Sequence, residues 1–376
     1  MTTALIFFLV LSVLVFAHEW GHFWMARRFK IGTEEFGFGM PPRIFGFYKT
    51  KDQKWKFVWG NKEVSDARDT VYSLNWIPMG GFVKIKGQDG EGFVKVERDS
   101  EKEKVDEDSF VNKAIWQRCL VLSAGVFMNI VLAAFLFSIC FMVGMPQDSG
   151  EGNLHISQVL EGRAREADVR LGDILLNVND EKIQDVEELQ NYLHAHHQEE
   201  INFRFERDGK IILKNIQPKY LELENKSVIG VGLSHEIEIV RYGFFEAIWQ
   251  GVKTTFILLI AIIVAFYNLI KNLITGNGLG GSIAGPVGIA NMAGQYADLG
   301  FVYLMRFTAM LSVNLAVINF LPFPALDGGH VLFLLIEKLK GKSIDRKILN
   351  IIHMIGFFLL LSLLLFVTIK EIVGLF

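Results

Sequence analysis

Cysteine is nearly absent from this chain of 376 residues, which contains only Cys119 and Cys140. Both lie in one hydrophobic segment, where a helical rise of ~1.5 Å per residue would separate them by ~30 Å. A disulfide requires Cα atoms within about 7 Å of each other, so no intramolecular disulfide is expected. Basic charge is not in surplus either, since 38 Lys and Arg residues face 41 Asp and Glu residues, for a net charge of −3. We therefore expect no nucleic acid among the partners.

Charged residues are missing altogether from three long runs, 119–145, 307–326 and 351–369. About 20 consecutive apolar residues are enough to cross a bilayer as a helix. Hydrophobic residues make up 51% of the chain, and the mean hydropathy is +0.31. These features predict an integral membrane protein rather than a soluble globule, with the lipid bilayer as its first partner.

The N-terminal apolar run also reads as a membrane helix, at about 4–26. A secretory signal peptide would begin with a positive charge and end at a small-residue cleavage site. This run has no Lys or Arg before Arg27, Arg28 and Lys30. We interpret it as a retained helix that carries a polar cluster near its end.

The distribution of Lys and Arg orients the chain, because these residues favour the cytoplasmic side. Basic residues follow the first helix and the run 307–326, whereas none occurs between Asn272 and Met305. The apolar run 254–270 is then expected to lie at or dip into the outer surface without crossing. The predicted fold class is membrane α-helical, with both termini outside and four transmembrane helices at about 4–26, 117–145, 307–326 and 351–369.

Four regions follow from this topology. Residues 1–146 form an N-terminal membrane core, with a β-loop at 31–95 between its two helices. Residues 150–222 lose the membrane character and form a small soluble domain. Residues 240–300 form a membrane-surface helix and loop, and residues 301–376 form a C-terminal membrane core.

The soluble region has the pattern of a small α+β domain. Strands are predicted at Leu154–Val159 and 173–178, a helix at 185–196, and a hairpin at 201–216 that turns at Asp208-Gly209. This order resembles a PDZ domain. The stretch Leu171-Gly172-Asp173-Ile174 resembles the strand-entry motif of that family.

The polar cluster of the first helix is His18-Glu19-Trp20-Gly21-His22, an HExxH pattern. Residues at i and i+4 share a helix face, so both imidazoles can bind one Zn²⁺, with Glu19 between them as a general base. The alternative is a pair of buried histidines that bond to backbone carbonyls. Ionisable residues inside a membrane helix are costly and usually functional, which favours the metal site.

A catalytic zinc site of this kind needs a third protein ligand, and Asp327 is the best candidate. It follows two prolines and precedes two glycines, and irregular backbone at membrane depth is tolerated only beside protein or a water cavity. The predicted topology brings Asp327 to the same depth as the HExxH cluster. If 254–270 crossed the membrane, Asp327 would lie at the opposite face.

With these motifs the chain resembles the site-2 protease family of intramembrane zinc metalloproteases, in its bacterial RseP-like branch with a single PDZ domain. The resemblance covers HExxH in the first helix, a PDZ-like insert after the second, Gly285-Pro286-Val287-Gly288-Ile289, and Leu326-Asp327-Gly328. It implies that His18, His22 and Asp327 bind zinc and that Glu19 is the catalytic base.

Further roles are implied by the same resemblance. Asn319 matches an asparagine of the family's LDG motif and Asn314 a second one, and both would hold the substrate backbone. Residues 71–86 resemble a membrane-reentrant β-loop. The PDZ-like domain, on the periplasmic or extracytoplasmic side of a bacterial inner membrane, would control substrate entry.

The predicted function is therefore a zinc endopeptidase that cleaves transmembrane segments of membrane proteins, with anti-sigma factors and remnant signal peptides as substrate types of the relatives. The alternative is a non-enzymatic zinc-binding scaffold that recruits partners through its PDZ-like domain. Glu19 argues against it, because a structural zinc site has four protein ligands and needs no base.

Five further histidines give weaker indications of function. His194, His196 and His197 are typical of the end of a solvated helix. His330 is either a residue that supports a zinc ligand or one bonded to the backbone, and His353 is interpreted as a packing residue.

Overall fold

The computed structural model describes residues 2–64, 66–88, 107–148, 152–159, 162–183, 185–221, 226–235, 237–275, 285–342 and 344–373. Within these ranges the helices are α1 (Thr2–Arg28), α2 (Ile115–Val143), α3 (Arg163–Glu166), α4 (Val186–Ala195), α5 (Phe244–Thr275), α6 (Pro286–Leu299), α7 (Phe301–Phe320), α8 (Asp327–Lys340) and α9 (Arg346–Val373). The strands are β1 (Thr33–Lys49), β2 (Trp55–Trp59), β3 (Val71–Ile85), β4 (Met145–Asp148), β5 (Leu154–Val159), β6 (Ile174–Val178), β7 (Ile201–Arg207), β8 (Lys210–Ile216), β9 (Lys219–Leu221), β10 (Lys226–Val228), β11 (Val231–Ser234) and β12 (Ile237–Val240).

The chain divides into two compact units. The first, here the core unit, comprises Met1–Met142, Gly243–Ala265 and Ile283–Phe376. The second, here the inserted unit, comprises Val143–Tyr242 and Phe266–Ser282.

Among the described residues, five helices are long and apolar enough to cross a membrane. They are Thr2–Arg28, Ile115–Val143, Phe244–Asn272, Phe301–Phe320 and Lys347–Val373. Four of them correspond to the four predicted crossings. The fifth is α5, which is longer than the apolar run 254–270 suggests, and its placement at the outer surface stays a prediction.

The third predicted crossing ends earlier than its charge-free run. Helix α7 stops at Phe320, and a new helix, α8, begins at Asp327. Pro322 and Pro324 explain the break, since proline has no N–H to continue the helical hydrogen bonds. Asp327 therefore lies at the start of its own short helix.

A strongly bent sheet follows α1 in the core unit. Strand β2 pairs with the second half of β1. Around Phe36, the first half of β1 pairs with Tyr72 in one half of β3 and with Val83 in the other half. The end of β3 thus lies at an edge of the sheet.

This sheet packs along α1. Phe36 is buried, and its ring lies 4.6 Å from that of Phe23 and 5.5 Å from that of Phe16. Ser12 of α1 donates a hydrogen bond of 2.9 Å to the carbonyl of Pro78 in β3. A Cβ at Gly80 would come within 3.0 Å of the Val15 side chain, so a glycine is needed for this close approach.

The inserted unit holds a five-stranded antiparallel sheet in the order β11-β5-β6-β7-β8. Strand β7 alternates as the sequence predicts, with Ile201, Phe203 and Phe205 almost fully buried. Asp185 caps α4 by accepting a hydrogen bond from the N–H of Glu187. The predicted strands, helix and hairpin of this region are confirmed.

The inserted unit extends beyond the predicted bounds of 150–222. Strand β11 pairs with β5 in the five-stranded sheet, and β12 pairs with β4 in a separate two-stranded sheet. These strands are only four residues each, too short to leave a clear alternating pattern.

One buried ion pair makes the inserted unit sensitive to acid. The Asp173 carboxylate accepts hydrogen bonds from Arg207 Nε (2.6 Å) and Nη2 (2.7 Å) and from the N–H of Arg170 (2.9 Å). Burial alone would raise the pKa of Asp173, but these hydrogen bonds outweigh it and hold the pKa below the ordinary value. The stabilisation is therefore complete above pH ~4, the unfolded value, and is lost as the pH falls through the lower folded pKa.

We expect Asp173→Asn to destabilise the inserted unit by about 1.5–3 kcal/mol at pH 7, and by less as the pH falls below ~4. Hydrogen exchange of the β6 and β7 amides in the full-length protein, corrected for intrinsic rates, measures this. The exposed Glu200→Gln serves as the control. A difference between wild type and Asp173→Asn that does not change with pH would contradict the prediction.

Candidate metal centre

Helix α1 presents two histidines on one face. His18 and His22 are one turn apart, and both are buried. Their rings meet edge to face with centroids 4.7 Å apart, and their Nε2 atoms are separated by 3.1 Å. The i, i+4 spacing of the sequence therefore brings two ligand atoms together.

The first residue of α8 adds a carboxylate. Asp327 Oδ2 lies 3.0 Å from His18 Nε2 and 3.3 Å from His22 Nε2. The three predicted ligands thus converge from two distant parts of the sequence.

Hydrogen bonds at the far side of each ring fix its orientation. His22 Nδ1 lies 2.8 Å from the carbonyl oxygen of Val121, which can only accept, so Nδ1 carries the proton. His18 Nδ1 lies 3.2 Å from the side-chain amide of Asn129. The oxygen of that amide is buried without a partner in the described part of the chain, and turning the amide over lets it accept from His18 Nδ1. Both Nε2 atoms then present lone pairs towards each other.

The donor set fits a zinc ion. Zinc bonds of about 2.0–2.1 Å in a tetrahedron place neighbouring ligand atoms about 3.3–3.4 Å apart, close to the observed 3.0–3.3 Å. Asp327 Oδ2 is buried and has no hydrogen-bond partner among the described residues, a costly state unless a cation satisfies it. Three protein ligands leave one position open, as in catalytic sites. Within the described ranges, this is the one group of three metal-binding side chains.

Glu19 lies beside these ligands. Its half-buried carboxylate interacts electrostatically with His18, His22 and Asp327 and accepts a hydrogen bond from the backbone of Val83. Val83 belongs to the edge half of β3, so the sheet holds this carboxylate against the metal centre.

Two glycines let the helices approach the site, and their role is not evident from the sequence. A Cβ on Gly125 of α2 would lie 2.7 Å from Cε1 and 2.8 Å from Nε2 of His18. A Cβ on Gly21 of α1 would lie 2.7 Å from the backbone carbon of Ala124. Gly125 and Asn129 are one turn apart on α2. A small and a polar residue paired in this way within a charge-free run indicate a close helix–helix contact, so this pattern could have pointed to both residues.

The two predicted substrate-binding asparagines lie elsewhere on α7. The amide nitrogen of Asn314 donates to the carbonyl of Met310 in its own helix. Asn319 is half-buried near the end of α7. Neither belongs to the metal-binding group, and their role towards a substrate stays a prediction.

Four of the other histidines form two pairs. His196 and His197 bond to backbone carbonyls at the end of α4, 3.0 Å from Tyr192 O and His194 O respectively, as expected for a solvated helix end. His330 and His353 stack with ring centroids 4.0 Å apart.

The known proteins that are similar in sequence to this chain are named as proteases. The family model "Peptidase family M50" matches residues 6–59 and 62–363. A Clostridium perfringens protein named for the zinc metalloproteases is 32% identical over 367 residues, which are 97% of each chain. "Regulator of sigma-W protease RasP" of Bacillus subtilis is 30% identical over 444 aligned residues, covering 100% of this chain and 99% of the relative. "Zinc metalloprotease RasP" of Geobacillus kaustophilus is 29% identical, covering 97% and 96%.

Among solved structures, the PDZ domain of an SdrC-like protein from Listeria monocytogenes matches 21% of this chain and 85% of its own, at 14% identity and a TM-score of 0.20. The family match over nearly the whole chain is what assigns the protein. The chain belongs to peptidase family M50, the site-2 protease family of intramembrane zinc metalloproteases.

Proposed function

We propose that His18, His22 and Asp327 hold the zinc ion of this protease and that Glu19 is its general base. The observation that carries this proposal is the convergence of three buried donor atoms, 3.0–3.3 Å apart, beside a carboxylate. The reaction is hydrolysis of a peptide bond within a transmembrane segment of another membrane protein.

Each residue around the metal has a separate role in this reaction. When bound, zinc supplies Lewis acidity, which polarises a carbonyl and lowers the pKa of water. Glu19 accepts a proton from the attacking water and returns it to the leaving amine. Val121 and Asn129 keep the two imidazoles in the tautomer and orientation that ligation requires.

The edge of β3 offers a place for the substrate. A helical segment shields its peptide groups in its own hydrogen bonds and must unwind before cleavage. An unwound segment can pair with a sheet edge and regain hydrogen bonds. Val83 lies on that edge and contacts Glu19, so strand pairing there would bring the substrate to the base. Asn314 and Asn319 are proposed to hold its backbone.

The membrane topology is proposed as four crossings, with α5 at the outer surface. Two contacts support it. Gly251 of α5 packs against Ser138, near the end of α2 that is predicted to face outward. A Cβ on Gly294 of α6 would lie 2.7 Å from Thr3, at the outward start of α1. Because the start of α5 and the following helix α6 both lie near the outer end, α5 is proposed to lie at that surface without crossing the membrane.

The membrane and substrates are proposed from the relatives. The distribution of Lys and Arg favours the PDZ-like domain outside, whereas the bacterial inner membrane and the restriction of substrate entry by this domain are proposed from the resemblance to the family. Anti-sigma factors are one substrate class, since a relative is named as a regulator of sigma-W protease. Remnant signal peptides are the other.

The metal content of the detergent-purified protein tests the ligand assignment. We expect one zinc per wild-type chain and a loss of at least ~10-fold in affinity in Asp327→Ala, because the third ligand is removed. The matched control is Asp298→Ala, an exposed aspartate of α6. Full zinc content and unchanged affinity in Asp327→Ala would show that Asp327 is no ligand and would overturn the proposed centre.

A further inference from the structure

The turn that precedes Asp327 has an unusual backbone conformation. Ala325 adopts a φ of +75°, in the left-handed region that residues with a Cβ rarely occupy. Such a conformation persists only where the surroundings hold it in place. Ala325 is two residues before Asp327, so the direction in which α8 starts depends on it.

A histidine of the last helix holds this residue. His353 Nδ1 accepts a hydrogen bond of 3.0 Å from the N–H of Ala325. The ring also stacks on His330 at 4.0 Å and 17° and meets Phe333 edge to face at 5.4 Å. These contacts fix the ring, and an accepting Nδ1 requires the proton on Nε2.

A glycine lets α9 approach the same turn. A Cβ on Gly356 would lie 2.6 Å from the Cβ of Pro324 and 2.7 Å from its carbonyl oxygen. Gly356 follows His353 by three residues and so faces the same side of α9. The helix therefore lies directly on residues 324–325, where the imidazole can reach the backbone.

Packing alone does not explain a histidine here. An imidazole within an apolar membrane helix is costly compared with leucine or phenylalanine, and such residues are usually functional. Its hydrogen bond goes to the backbone that orients a proposed zinc ligand, and metal ligands must be held within about 0.5 Å to bind well.

We propose that His353 is a positioning residue of the metal centre. By accepting the N–H of Ala325, it holds the turn that sets Asp327 Oδ2 at its 3.0 Å and 3.3 Å distances from the two histidines. This inference rests on the proposed role of Asp327 as a ligand. Within the described part of the chain, the contacts of His353 are with Ala325, His330 and Phe333 and not with the three proposed ligands.

Three variants separate positioning from packing. In His353→Asn, the side-chain oxygen stands close to the place of Nδ1 and can accept the same N–H. His353→Phe keeps an aromatic ring to stack on His330 but has no acceptor, and His353→Leu has neither. Ser362→Ala is the control on the same helix, because the Ser362 hydroxyl donates to the Phe358 carbonyl within α9.

The full-length protein is loaded with Co²⁺, whose visible absorption reports coordination geometry, and the rate of Zn²⁺ release to a chelator is measured separately. We expect a changed cobalt spectrum and ~10-fold or faster zinc release in the Phe and Leu variants. The Asn variant should keep the wild-type spectrum and a release rate close to wild type. Helical circular dichroism and a single gel-filtration peak establish that each variant is folded.

The outcomes are distinct. If Phe preserves the spectrum and Asn does not, or if all three variants match wild type, the positioning role is overturned. Asp327→Ala is measured in parallel. A wild-type cobalt spectrum in that variant would overturn the ligand assignment itself, whereas an altered one leaves the His353 series to decide the inference alone.

Discussion

Glu19→Gln is expected to lower the rate of substrate cleavage by about 10²- to 10⁴-fold, the usual contribution of a general base. Glutamine has the same shape and can keep the contact with Val83, but it cannot take a proton. Zinc content should stay at the wild-type level, because Glu19 is not among the three converging ligand atoms.

The rate is measured on a single-span membrane substrate in detergent, with the products identified by mass spectrometry. Glu246→Gln is the matched control, since Glu246 is an exposed glutamate of α5. Cleavage by Glu19→Gln at the wild-type rate would remove Glu19 from the mechanism. A wild-type protein that binds zinc and the substrate but releases no product would instead favour the scaffold alternative.

Gly125→Ala should lower the affinity for zinc about 10-fold or more, although it adds a single methyl group. The new Cβ would lie 2.7–2.8 Å from two atoms of His18 and also meet Nε2 of His22. The rings must therefore move, and misplaced ligands bind metal about 10-fold or more weakly. Zinc affinity of the purified protein is the measurement.

Gly243→Ala provides the comparison, because a Cβ at Gly243 would meet nothing within 4 Å. It should bind zinc as the wild type does. Equal zinc affinity in Gly125→Ala would mean that α2 can retreat from the histidines without disturbing them, contrary to the close packing described above.

The convergence of His18, His22 and Asp327 was largely predictable, because two of the three residues share one local pattern. Helical periodicity places His18 and His22 on one face whatever the rest of the fold does. Asp327 required one more step, the argument from charge distribution that brings the end of the third crossing to the depth of the histidines. In the inserted unit, alternation along β7 was likewise sufficient to predict its buried face.

The supporting residues were not predictable, because their roles arise where distant segments meet. Gly125 and Asn129 matter through the crossing of α1 and α2. His353 matters because α9 lies on the turn before Asp327. No local pattern sets the distance between two helices. The sequence alone therefore indicated only a packing role for His353. The strand β11 was missed for another reason, since four residues carry too little alternation.

The division into two units has a spectroscopic consequence. All seven tryptophans fall in the core unit, at positions 20, 24, 55, 59, 76, 116 and 249, and none lies between Val143 and Tyr242. Tryptophan emission therefore reports on the core unit alone, and its quenching by brominated lipids would report which of these tryptophans lie near lipid. The wild-type protein carries a built-in reporter for the core, while unfolding of the segment Val143–Tyr242 is seen only by its tyrosines or by hydrogen exchange.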